Sequence, residues 1–165
     1  MSSVAERCFV FLKPGQMMVS SVPLLVTTLL GSCVAVTMFI PRLQLGAICH
    51  AQLPSCGKKA CNHRHPDAGK YVDCAIMAML EQLEAKGAER REIEAKLFGG
   101  SDMFDAYSRG RSVGRQNMEM AAGMLERESV RVVREDLGGK RGRKIVFHTH
   151  TGEVFLKRLR KSGGL

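Results

Sequence analysis

A thiol and an imidazole in consecutive strand-like segments are the side chains of this sequence best suited to chemistry. Cys33 lies in Thr27-Thr28-Leu29-Leu30-Gly31-Ser32-Cys33-Val34-Ala35-Val36, and His50 in Gly46-Ala47-Ile48-Cys49-His50-Ala51-Gln52-Leu53-Pro54. A cysteine attacks as thiolate, and a free pKa of about 8.5 keeps it protonated at neutral pH unless a neighbouring base intervenes. Gly31 permits positive φ or close backbone approach just ahead of the thiol, so the Ser32 and Cys33 amides can turn toward a carbonyl oxygen as oxyanion donors. If the second segment is a strand, alternation sends Cys49 and Ala51 to the face opposite His50. Cys49 then reads as a core thiol rather than a competing nucleophile. Taken alone, the Gly-Ser-Cys triplet also fits a buried structural thiol among valines.

A wider pattern adds to this pair. Thr27, Gly31-Ser32-Cys33-Val34, His50 with Leu53-Pro54, Lys70-Tyr71-Val72-Asp73 and Gly152-Glu153-Val154 occur in order. In these residues the chain resembles the CheD family of chemoreceptor glutamine deamidases, from Val22 to Leu159. The resemblance implies Cys33 as nucleophile, His50 as general base and Thr27 as the hydroxyl that orients the histidine. It implies a cysteine-dependent protein-glutamine amidohydrolase that converts glutamine side chains of methyl-accepting chemotaxis receptors to glutamate through a thioester. Receptor methyl esters would yield to the same acyl chemistry. No cofactor is implied. Adjacent threonines in a strand face opposite sides, so only one of Thr27 and Thr28 meets His50. Thr27 is chosen because the family motif places threonine there; apart from the resemblance it reads as an ordinary strand threonine. The alternative function is a non-catalytic regulatory module that binds receptors or a CheC-type phosphatase. A docking protein has no physical need for Thr27, Cys33 and His50 together, which favours catalysis.

The elements that must position these residues are legible in outline. Short apolar runs rich in branched residues predict strands over Cys8 to Leu12, Leu24 to Leu30, Val34 to Phe39 and Leu45 to Gln52. Val72, Ile76, Met79, Leu80 and Leu83 recur at helical spacing, and Gly87 stops that helix. Lys96 to Gly100 predicts a short strand, Ser112 caps a second helix running to Glu128, and three strands follow: Val130 to Glu135, Arg143 to His148 and Glu153 to Lys157. Strand, helix, strand, helix and a final antiparallel run give an α+β class. The resemblance implies a layered sandwich of two packed β-sheets flanked by helices. One domain over 1–165 is expected, with short flexible termini and a loop at 55–66.

Composition sets outer limits. Hydrophobic residues make up 45% and charged residues 25%, which excludes extensive disorder. The first residues lack the charged and apolar regions of a secretion signal, so the six cysteines point to a reducing, cytoplasmic setting. Thr27, Thr28, Gly31, Ser32 and Thr37 interrupt the apolar run from Val22 to Ile40 and argue against membrane insertion. The net charge of +9 gathers at 109–111, 140–144 and 157–161. With aromatic content of 5% and no tryptophan, nucleic acid is not the expected partner; the charge reads as a solvated face or a docking surface for an acidic protein helix. No metal is expected. The rival reading is a zinc or copper site made of Cys56, Cys61, His63 and His65, whose plainer account is a polar loop with exposed thiols. His148 and His150 would share one face of a strand as a surface pair.

Overall fold

In the computed structural model, residues 8–59, 61–103 and 112–160 are described. Nine strands form two sheets: β1 (Cys8–Phe11), β2 (Met17–Ser20), β3 (Leu24–Leu30), β4 (Val34–Ile40), β5 (Leu45–Ala51), β6 (Glu94–Gly99), β7 (Arg131–Leu137), β8 (Arg143–His148) and β9 (Val154–Arg158). Helix α1 (Val72–Ala85) joins β5 to β6, and α2 (Val113–Arg127) joins β6 to β7. One sheet has the order β1-β3-β8-β9 and the other β2-β5-β4-β6-β7. The α+β sandwich expected from the resemblance is present.

The central strands β4 and β5 are buried at every residue, because they carry a core on each face. Val34, Val36, Met38 and Ile40 of β4, with Leu45, Ala47, Cys49 and Ala51 of β5, pack against Ile76, Met79, Leu80 and Leu83 of α1 and Leu125 of α2. The opposite faces contribute Ala35, Ile48 and Phe98, which meet Val26, Leu30, Ile145 and Phe147 of the other sheet. The layers are therefore helices, five-stranded sheet, four-stranded sheet. Burying each such Leu, Ile, Met or Phe side chain contributes about 1.5–3 kcal/mol. Cys49 sits in the helix-facing layer, fully buried, and burial raises its thiol to about 12. It is a core residue, as alternation predicts.

Local signals explain the helices. Ser112 accepts a hydrogen bond from the Arg115 amide at 3.2 Å and caps α2. Gly87 follows α1 at φ 95°, where its N–H reaches the Glu84 carbonyl.

Three expectations change. Met17–Ser20, too short and methionine-rich to signal itself, forms β2 and pairs antiparallel with β5. The last three strands are not one antiparallel run: β7 leaves α2 as a βαβ crossover and pairs parallel with β6, and only β8 and β9 form a hairpin. His150 lies in the turn beyond β8, so it does not share a strand face with His148, which instead stacks on Phe155 at 5.1 Å between ring centroids.

The charged clusters also differ from a continuous solvated patch. Arg143 is 4% exposed and bonds Asp136, which also pairs with Arg158. The group at 109–111 lies outside the described residues. Among the described residues, no helix is long and apolar enough to cross a membrane.

Candidate active site

Cys33 occupies the turn between β3 and β4, one residue before β4 begins. The β4–β5 register sets Ala35 opposite His50 and Val34 opposite Ala51. Cys33 thus precedes the paired residues by one step and packs with the inter-sheet layer that also holds Ala35 and Ile48. Continuing the register by one residue sets Cys33 diagonal to His50, and such neighbours stand roughly 7–8 Å apart at Cα. Ala35, directly across from His50, places only a methyl group beside that path.

Three hydrogen bonds fix the turn. The Gly31 carbonyl accepts from the Ser101 amide at 2.9 Å, the Ser32 carbonyl from Asn117 Nδ2 at 3.0 Å, and the Cys33 carbonyl from the Gly100 amide at 2.9 Å. In a trans peptide the carbonyl and N–H point in opposite directions, and no peptide here is cis. With the Gly31 and Ser32 carbonyls tied inward, the Ser32 and Cys33 amides are turned the other way. That is the disposition oxyanion donors require.

Gly31 itself is not among the positive-φ residues; a side chain there would come within 3.0 Å of the Met103 sulfur. The backbone freedom expected at Gly31 resides in Gly99, at φ 104°. A Cβ on Gly99 would lie 2.2 Å from the Cys33 carbonyl oxygen, so only glycine lets β6 close on the Cys33 turn.

Asn117, fully buried in α2, was not anticipated from sequence. Its Nδ2 donates to both the Ser32 carbonyl and the Gln52 carbonyl, each at 3.0 Å. Two carbonyl acceptors identify that end of the amide as the NH2 group. One side chain therefore ties the turn ahead of Cys33 to the strand end beyond His50. Its sequence signal is a polar residue on the buried side of an amphipathic helix.

His50 is 2% exposed, and its Nδ1 lies 2.6 Å from the Oγ1 of Thr28. Thr27 does not meet it. Thr27 Oγ1 donates instead to the Ile145 carbonyl at 3.1 Å, on the outer face of the four-stranded sheet. The expectation for Thr27 is corrected by strand parity. Val26, Thr28 and Leu30 face the inter-sheet layer, so Thr28 is the threonine turned toward His50.

Thr28 Oγ1 also donates to the Leu12 carbonyl at 2.7 Å. A hydroxyl has one proton, and a carbonyl can only accept, so the oxygen must accept from His50. His50 is thereby the Nδ1–H tautomer, with the lone pair on Nε2. Replacing Thr28 with valine is expected to lower kcat/KM by about 10–100-fold, whereas Thr27→Val stays within about threefold of wild type. Steady-state kinetics of the two variants check this parity assignment.

Burial lowers His50 from 6.5 to about 4 and raises the Cys33 thiol. Both shifts favour the neutral pair over thiolate and imidazolium. Alkylation of Cys33 by a neutral haloacetamide, followed by peptide mass spectrometry, is expected to be slow at neutral pH and to need more alkaline solution than a free cysteine does. The unfolded chain protonates His50 near 6.5 and the folded chain near 4, so its contribution to stability is complete above 6.5 and is lost as pH falls toward 4. The loss amounts to roughly 3 kcal/mol across that window.

Comparison with known proteins bears on the family of the whole chain. Residues 52–158 match the family model described as CheD chemotactic sensory transduction. A Geobacter sulfurreducens protein named "Probable chemoreceptor glutamine deamidase CheD 2" is 45% identical over 153 residues, covering 93% of this chain and 91% of its own length. A "Probable chemoreceptor glutamine deamidase CheD" of Maridesulfovibrio salexigens is 40% identical over 158 residues, 92% of each chain. The "Chemoreceptor glutamine deamidase CheD" of Thermotoga maritima is 37% identical over 140 residues, 85% of this chain and 83% of its own. The family-model match over residues 52–158 and these relatives place the chain in the CheD family.

Proposed function

We propose that this chain deamidates glutamine side chains of methyl-accepting chemotaxis receptors, with Cys33 as nucleophile, His50 as base and Thr28 as the residue that holds the base. The observation that carries the reading is the Leu12–Thr28–His50 chain of hydrogen bonds, which leaves Nε2 unprotonated on the face shared with Cys33. Nε2 takes the thiol proton as sulfur attacks the amide carbon, and the oxyanion forms against the Ser32 and Cys33 amides. The same proton passes to the departing nitrogen, releasing ammonia and leaving a thioester. Water, deprotonated by His50, then splits the thioester to glutamate and restores the thiol. A methyl ester differs only in releasing methanol, so the site suits that substrate as well.

Cys33 stands in a half-exposed turn rather than at the bottom of the core. That placement suits a side chain presented by another protein. The test is peptide mass spectrometry of purified receptor cytoplasmic fragments incubated with the wild-type protein, read as conversion of specific glutamines to glutamate. Absence of conversion across several receptors, with the fold verified, refutes the assignment.

A further inference from the structure

A second set of thiols lies away from Cys33 and takes no part in the reaction above. The ligand atoms of Cys56, Cys61, His65 and Cys74 all lie within 4.8 Å of one another. Cys61 Sγ is 3.5 Å from Cys74 Sγ, and His65 Nε2 is 3.4 Å from the same sulfur. Sulfur and nitrogen ligands held tetrahedrally at about 2.3 and 2.0 Å from a common ion stand roughly 3.4–3.8 Å apart, which is the spacing seen here. A disulfide requires about 2.05 Å between sulfurs, so Cys61 and Cys74 at 3.5 Å are free thiols in contact rather than a bonded pair.

We propose that Cys56, Cys61, His65 and Cys74 form a closed structural site for one zinc ion. The donor set is three soft sulfurs and one imidazole, which selects zinc over hard, oxygen-seeking cations. Four protein ligands leave no open position for water or substrate, so the site is structural rather than catalytic.

His63, a candidate from sequence, is replaced in this set by Cys74 of α1. Its backbone, at φ 60°, serves another purpose: the His63 amide donates to Cys61 Sγ at 3.4 Å, the N–H to sulfur contact that orients and stabilises a thiolate ligand. The loop is also held by Ser55 Oγ, which donates to Asp73 at 2.8 Å, and by Arg64, which pairs with Glu81. Its apolar anchorage is limited to a small cluster around Ala68, Cys74 and Ala78.

An ion here would join three points of the loop to the fully buried Cys74 in the first turn of α1. The loop's far end is already fixed to the strand that carries the base, because the Gln52 and Leu53 amides both donate to the Lys70 carbonyl, at 2.8 and 3.1 Å. Zinc therefore orders the segment that leaves the active-site strand and returns beside it.

The test is elemental analysis of full-length protein purified under reductant without chelator, together with X-ray absorption at the zinc edge. About one zinc per chain is expected, in a shell of three sulfurs and one nitrogen. The Cys61→Ser/Cys74→Ser double variant should lose the metal, and Cys8→Ser, altered at an exposed thiol, should keep it. Should the double variant fail to fold, the wild-type absorption spectrum decides alone. Substoichiometric zinc, a different donor count, or a Cys61–Cys74 disulfide in freshly isolated protein overturns the proposal.

Discussion

Cys33→Ala is expected to abolish receptor deamidation, with kcat/KM reduced by at least about 10⁴-fold, while the circular dichroism spectrum and melting curve stay close to wild type. The sulfur is half-exposed in a turn whose three carbonyl bonds involve only backbone on the Cys33 side, so its loss leaves the turn in place. Cys33→Ser should be equally inactive, for a separate reason. A base lowered to about 4 by burial is weak, and it can assist a thiol but not an alcohol whose proton is held far more tightly. Peptide mass spectrometry with both variants measures this. Turnover in the serine variant would mean that His50 is more basic in the receptor complex than in the free protein.

Arg143→Met is expected to cost about 3–5 kcal/mol of stability, read by urea denaturation, and to reduce activity in the fraction that remains folded. Although it comes from a basic cluster near the surface in sequence, Arg143 is almost fully buried. It donates to Asp136 at 2.7 Å, to Ser101 Oγ at 2.8 Å, and to the Gly138 and Gly99 carbonyls at 2.7 and 3.3 Å. Arg143 belongs to β8 of one sheet and all four partners lie on or beside the other sheet. It therefore joins the two layers at the edge where Gly99 and Gly100 close on the Cys33 carbonyl. Methionine fills much of the volume but takes the donor from the Gly138 carbonyl and from Ser101 Oγ, and it leaves Asp136 with Arg158 and the Gly99 carbonyl with the Gly138 amide. Lysine should not rescue, since one ammonium cannot reproduce a planar fork aimed at four acceptors.

Cys33 and His50 stood out as candidates in the sequence because their chemistry is carried by residue type and their positions by strand-length spacing. Parity was not. Whether Thr27 or Thr28 faces the core depends on which side of β3 meets the other sheet, and a strand with apolar residues at both parities, Leu25 and Leu29 beside Val26 and Leu30, gives no local answer. Cys74 gave no signal of its own, because its partners arrive from a loop that only the folded chain brings alongside. Asn117 looked like an ordinary helical polar residue for the same reason: its two acceptors lie 85 and 65 residues away. The parallel placement of β7 was hidden by its composition, since this exposed edge strand carries charges that resemble a hairpin arm.

The Leu12 carbonyl has an importance that side-chain comparison cannot detect. It accepts the Thr28 proton, and through that bond a main-chain atom just after β1 decides which nitrogen of His50 carries hydrogen and which is bare. Every residue type supplies a carbonyl, so the proton order does not depend on the Leu12 side chain, which serves the inter-sheet core instead. The proton order depends on the path of β1 alongside β3, where the Leu12 amide also grips the Thr27 carbonyl at 2.8 Å. A peripheral strand that looks dispensable for packing is thus the part of the scaffold that assigns acid and base character to the imidazole.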